Sequence, residues 1–111
     1  MDIQVLAENL EMEPEEIVGL VKLFHETSVA NLEILLAALA QGNLREVAEA
    51  AHRIRNGAID LGLQGTHKAA KEVEMQANQN TLKGVEKSVT TLQEKLARLA
   101  ESLQNKSFHI L

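Results

Sequence analysis

Apolar residues recur along this chain at steps of three and four, the period of an amphipathic helix, in one segment after another. Ile3, Leu6 and Leu10 give a short helix over about residues 2–11. Pro14 suits a first helical turn, where its missing N–H costs nothing, and Glu15 and Glu16 complement the positive end of the helix dipole. From there Ile17, Val21, Phe24, Ser28, Leu32, Leu35 and Leu39 keep one face until Gln41-Gly42 stops the helix. Asn43 is an N-cap for the third helix, with Glu46 three residues on as in a capping box. In that helix Leu44, Val47, Ala51, Ile54, Ala58 and Leu61 form a regular stripe ending near Gly62. A fourth helix, about Thr66 to Ala77, turns Ala69, Ala70, Val73 and Ala77 inward and is broken by Asn78-Gln79-Asn80. Thr81 is the expected cap of the last helix, where Leu82, Val85, Val89, Leu92, Leu96, Leu99 and Leu103 repeat at heptad spacing. Gly84 falls early in it, where its entropic cost is small.

Four long stripes joined by short loops predict an all-α fold, an antiparallel up-down-up-down four-helix bundle with the short additional N-terminal helix as a lid. The last stripe could equally serve a dimeric coiled coil, but a bundle consumes the same face and accounts for all four long helices, so a monomer is expected. The length of 111 residues suits one domain spanning 1–111.

Composition narrows the class further. Aromatics are 2%, Phe24 and Phe108 alone, and Pro14 is the single proline, which disfavours β-sandwiches and barrels. With no cysteine, disulfide scaffolds, thiol nucleophiles and thiolate metal sites are excluded. A net charge of −5 argues against nucleic acid as a partner, since binding it needs a basic surface to displace phosphate counterions. No apolar run is read as a membrane span, and Met-Asp-Ile-Gln lacks a basic signal-peptide region, so a cytoplasmic protein is expected.

One residue fits the core poorly. At 100° per residue, His52 falls roughly 130° from the centre of the third helix's stripe and faces solvent. Ala48, Arg55, Asn56 and Ile59 share that face, where long charged side chains would be usual. Geometry alone leaves two readings open. One is a surface histidine beside tolerated apolar neighbours. The other is a nucleophilic imidazole on a docking patch: imidazole is available in neutral form near pH 7, can carry a covalent intermediate, and has a guanidinium at i+3 to meet an incoming phosphoryl group. Residues 41–71 carry a net charge of +2 and the remainder −7, a locally basic band on an acidic chain. No metal constellation is apparent. His52 and His67 are fifteen residues apart on different helices, while His25 reads as structural and His109 as part of a mobile tail.

The run Ala51-His52-Arg53-Ile54-Arg55-Asn56-Gly57-Ala58, followed by Leu61-Gly62-Leu63, resembles the histidine-containing phosphotransfer (HPt) domains of bacterial two-component phosphorelays. Ala69-Ala70-Lys71-Glu72-Val73-Glu74 is similar to a downstream stretch of that family, and Leu35 to Leu44 resembles the turn before its histidine helix. The N-terminal helix and Leu23-Phe24 match as well, so the resemblance spans nearly the whole chain. It implies that His52 is the phosphorylated histidine, Arg55 its basic partner and Glu74 a polar neighbour from the next helix. Arg45, Ala48, Asn56 and Ile59 would meet the partner. The family usually has glycine where this chain has Asn56, with Gly57 following; Asn56 is expected to narrow the partner range or to contribute a hydrogen bond.

The implied partners are receiver domains of response regulators and of a hybrid histidine kinase. Any Mg²⁺ would belong to the receiver, and no cofactor is expected on this chain. The implied activity is phosphoryl relay through His52, in-line and governed by positioning and charge. The competing reading is a non-catalytic helical adaptor that docks a receiver or kinase without carrying phosphate. An independent enzyme is the poorest fit, because the sequence has no paired-carboxylate cleft, Gly-rich phosphate loop or triad spacing.

Overall fold

The computed structural model describes residues 3–104. They form α1 (Ile3–Asn9), α2 (Pro14–Ala40), α3 (Leu44–Leu61), α4 (Gln64–Asn78) and α5 (Leu82–Gln104). The expected helix start at residue 2 and everything after Gln104, His109 included, lie outside the described residues. α3 packs against both α2 and α4, α5 packs against α4 and α2, and α1 lies on α2.

The helix ends follow local chemistry. Pro14 opens α2. Gly42 adopts φ +70° and lets the Asn43 amide donate to the Ala38 carbonyl at 2.9 Å, which closes α2. Asn43 then caps α3: its Oδ1 accepts from the Glu46 amide at 3.2 Å, and its Nδ2 donates to Glu46 Oε2 at 3.1 Å. The expected pairing of Asn43 with Glu46 is therefore present, with the return contact made side chain to side chain. Gly62 ends α3 at φ +71°, and the Leu63 amide donates to the Ala58 carbonyl at 2.9 Å while Leu63 is buried. Thr81 stands at the N-cap position of α5, its carbonyl accepting from the Val85 amide at 2.9 Å. Its hydroxyl lies 3.1 Å from the Gln76 carbonyl and 3.0 Å from Gln76 Oε1, so it ties the turn back to the end of α4.

The core runs the length of the bundle and centres on Ile17, Val21, Leu35, Val47, Ile54, Val73, Val85 and Leu92, each less than 2% exposed. Three stripe assignments shift. In α2 the buried positions are Ile17, Val21, Phe24, Ser28, Asn31, Leu35 and Ala38, so Leu32 and Leu39 flank the core and Asn31 and Ala38 take the central places. A strict heptad register, rather than the apolarity of single residues, sets that face. Ala50 is fully buried on α3 although the predicted stripe omits it. Leu82 is 47% exposed, because it stands in the first turn of α5, before the stripe meets α4.

The expectation about membrane-spanning runs also needs correction. α2 contains a window of mean hydropathy 1.2, long and apolar enough by length and composition to cross a bilayer. In the bundle the same apolarity serves the contacts of α2 with α3 and α5.

Candidate functional site

α3 is built to come close to its neighbours. Ala48, Ala50, Ala51 and Ala58 are all buried on it, and small side chains let helix axes approach. Gly57 extends this. A Cβ there would stand 2.9 Å from two ring atoms of Phe24, so the Phe24 ring lies against bare α3 backbone. One position after His52, Arg53 Nε donates to Asn31 Oδ1 at 2.8 Å, and Asn31 Nδ2 donates to the Thr27 carbonyl. The helix that carries His52 is thus clamped to α2 by packing and by a polar tie.

On the outer side of this helix His52 keeps 47% of its side chain exposed, as the wheel predicts. Its two ring nitrogens have different surroundings. Nδ1 lies 2.7 Å from Glu74 Oε2, contributed by α4, and 2.8 Å from Arg55 Nη2. Nε2 lies 3.1 Å from Asn56 Nδ2. The Glu74 side chain is only 17% exposed, and its other oxygen, Oε1, is 3.2 Å from Arg55 Nε. Arg55 Nε is buried and makes no aligned hydrogen bond, so it meets Glu74 through charge.

The Glu74 and Asn56 contacts together favour one tautomer, while Arg55 Nη2, a donor only, would itself ask for a lone pair on Nδ1. An unprotonated Nδ1 would set its lone pair against a carboxylate oxygen at 2.7 Å in a poorly solvated spot. A proton on Nδ1 instead gives a charge-assisted hydrogen bond to Glu74, with Arg55 alongside as the counter-charge of the carboxylate. Nε2 then carries the lone pair and accepts from the Asn56 amide. The arrangement is an imidazole whose inner nitrogen is oriented by a carboxylate and whose outer nitrogen is basic, the pattern of an activated nitrogen nucleophile.

The other predicted site residues divide. Ile59 is 50% exposed and lies on the His52 side of α3. Arg45 has an 89% exposed side chain, pairs with Glu49 at 3.4 Å, and shares with His52, Arg53 and Asn78 a shallow groove of about 390 Å³. Ala48 is buried at 7%, which corrects its expected place on the exposed patch: α4 covers that flank of α3. Arg55 is also less open than predicted, with 24% of its side chain exposed and its charge shared with Glu74. His67 stands on α4 seven residues before Glu74, about 10 Å along the axis, and belongs to a different level of the bundle. His25 is half-buried on α2.

Sequence reasoning passed over Asn31 and Arg53. An asparagine in the heptad register of an apolar helix, one turn from Ser28, is the signal that a polar partner crosses from a neighbouring helix. Among the described residues no three His, Asp or Glu side chains gather as a metal ion requires. A cavity of about 440 Å³ lies near the α3–α4 turn between Leu63, Gly65, Lys95 and Arg98, apart from His52.

Fold and site together define a class: a helical bundle that presents one oriented imidazole on its surface rather than in a pocket. The chain belongs to the Hpt domain family, whose model matches residues 19–102. That range contains α3 and α4 entire, and with them His52, Arg55, Asn56 and Glu74. The Hpt domain is the histidine phosphotransfer module of two-component phosphorelays, so the chain is a signal-transduction protein. Comparison with curated proteins and with solved structures finds no match.

Proposed function

We infer that this chain is a phosphoryl carrier in which His52 accepts the phosphoryl group of a receiver's phospho-aspartate and passes it to a second receiver. The observation that supports this reading best is the half-exposed imidazole with Nδ1 turned to Glu74 and Nε2 turned outward. In the forward step the Nε2 lone pair attacks phosphorus in line. The P–N bond forms as the acyl-phosphate P–O bond breaks, and the receiver's aspartate leaves as a carboxylate. Positive charge develops on the ring as Nε2 is substituted. Nδ1 keeps its proton, and Glu74 balances that charge without moving. Arg55 holds Glu74 in place and lies close enough to the ring to offset charge on an arriving phosphoryl group.

In this reading all five helices make one unit, residues 1–111, and the four long helices run alternately up and down, since connections of two or three residues reverse the chain. It acts as a cytoplasmic monomer. Receiver domains of a response regulator and of a hybrid histidine kinase are its partners, met through Arg45, Asn56 and Ile59 around His52. The receiver supplies the Mg²⁺; the carrier brings no cofactor and no independent catalysis. The Asn56 contact to Nε2 favours one other reading, an adaptor that docks a receiver with its imidazole closed to transfer.

The test is transfer from phosphorylated receiver domains to the native protein and to His52→Gln. Acid-labile, base-stable label on the native protein alone is the expected result. Label on both variants refutes His52, and label on neither, with folding and receiver binding intact, favours the adaptor.

A further inference from the structure

We propose that Asn56 is a brake on the reactive nitrogen of His52, its side-chain amide masking the Nε2 lone pair in the resting protein so that attack on phosphorus must first displace it. This rests on the reading of His52 as a phosphoryl acceptor and assigns a chemical role to a residue one helical turn beyond it.

The argument begins with which groups already orient the ring. Glu74 holds Nδ1 at 2.7 Å from a carboxylate that is itself only 17% exposed and paired with Arg55. With Arg55 Nη2 2.8 Å from the same nitrogen, that contact fixes the plane of the imidazole, so a polar partner at Nε2 is not needed for orientation. Asn56 nevertheless puts Nδ2 3.1 Å from Nε2, at i+4 on the same helix, where the two side chains meet without effort. With the proton on Nδ1, Nε2 has one lone pair, and the Asn56 N–H donates into it. The lone pair that accepts this hydrogen bond is the pair that forms the P–N bond. The bond therefore stabilises the resting nucleophile and is absent when phosphorus has taken its place.

Asn56 is exposed, where substitutions ordinarily change stability little. Its effect is confined to the reactivity of Nε2 and the ease with which a donor reaches it. A neutral hydrogen bond of ordinary strength corresponds to about 3- to 10-fold in rate. The carboxylate of Asn56→Asp reverses the sign. It cannot donate to Nε2, and it draws a proton onto that nitrogen, which leaves no lone pair for attack.

The experiment uses the full chain and two readouts. The first is the nitrogen NMR signature of the His52 ring in the unphosphorylated protein, native against Asn56→Ala, with His52→Gln identifying the resonances. Nδ1 protonated and Nε2 unprotonated in both proteins is expected, with the Nε2 resonance moving toward the free lone-pair value in Asn56→Ala. The second is phosphorylation of His52 by phosphoramidate, a small donor that needs no receiver. Here Nε2–P forms, the donor's P–N bond breaks and ammonia leaves. Label on other histidines is subtracted with His52→Gln. Uptake about 3- to 10-fold faster in Asn56→Ala and slower in Asn56→Asp supports the proposal. An unmoved Nε2 resonance, a proton on Nε2 in the native protein, or equal or slower uptake in Asn56→Ala overturns it. Failure of receivers to transfer, with these small-donor results intact, counts against the relay and leaves the role of Asn56 standing.

Discussion

Replacing Glu74 with glutamine tests the site at its most constrained point. The substitution keeps the shape and leaves an amide oxygen able to accept from Nδ1, but it removes the negative charge. Two contacts lose their electrostatic part: the 2.7 Å approach to His52 Nδ1 and the 3.2 Å approach to Arg55 Nε. A hydrogen bond to a charged group contributes about 1.5–3 kcal/mol. Glu74 is 17% exposed but His52 is 47% exposed, so solvent screening brings the value to the low end, about 1.5 kcal/mol. Because the ring becomes more positive as Nε2 is substituted, the charge of Glu74 matters more in the transition state than at rest. The expected outcome is a fall of roughly tenfold in the initial rate of phosphoryl uptake from a phosphorylated receiver. Stability should drop by about 1 kcal/mol, since Arg55 Nε is left buried beside a neutral group. The assay is a time course of label incorporation with helicity and thermal unfolding measured in parallel. A rate within about twofold of native in a folded Glu74→Gln protein refutes the account of Nδ1 and Glu74.

Further outcomes follow from burial and packing. Leu92→Ala truncates a fully buried side chain and should cost about 2–5 kcal/mol in denaturant unfolding, whereas His52→Ala, at a half-exposed position that loses its bond to Glu74, should cost about 1 kcal/mol. A large loss in His52→Ala places the imidazole on the wrong face. Two of the helical glycines, Gly57 and Gly84, should respond with opposite sign to alanine. At Gly57 the new methyl meets the Phe24 ring at 2.9 Å, and overpacking outweighs the gain in helix propensity, for a net loss of about 1 kcal/mol. At Gly84 the obstacle is the end of the Gln76 side chain, which can swing into solvent at the expense of its exposed bonds to Thr81 and Glu72, so thermal unfolding should show a small gain, about 0.3 kcal/mol. Asn43→Ala removes the side chain that accepts from the Glu46 amide and should lower stability by about 1 kcal/mol in the same measurement.

Much of the fold is legible in the chain because each helix carries its own period and its own stop. Gly42 and Gly62 mark helix ends by adopting positive φ, and Asn43 marks a start. The register of α2 is less legible. Leu32 and Leu39 are more apolar than Asn31 and Ala38, yet the latter pair is buried. Apolarity reports what a position can tolerate, while burial depends on where the neighbouring helix lies. Asn31 shows why: its burial is offset by a hydrogen bond from Arg53, a partner 22 residues away that no local pattern reveals. Thr81 stands at the start of α5 as its sequence suggests, and the hydroxyl's donation to Gln76, five residues back, is the part that the local rule for caps does not foresee.

The site is legible to the extent that it is local. His52, Arg55, Asn56 and Ile59 lie within two turns of one helix, so their spacing alone brings them to one side. The contact from Glu74 crosses between helices, and only the resemblance to HPt domains suggested it. Ala48 exposes the limit of a single-helix wheel, which shows what turns away from one core but not what a second neighbour covers. That second neighbour also explains how a half-exposed imidazole can be held rigidly. The buried alanines of α3 and the bare backbone at Gly57 draw α2 and α4 close on either side of it. α4 thereby delivers Glu74 to the inner nitrogen while leaving the outer one at the surface. A larger residue at Ala48 or Ala51 would push α4 away and lengthen the Glu74 contact before it unfolded the bundle. In such a variant phosphoryl uptake should fall further than stability does, which separates the positioning of His52 from the packing that achieves it.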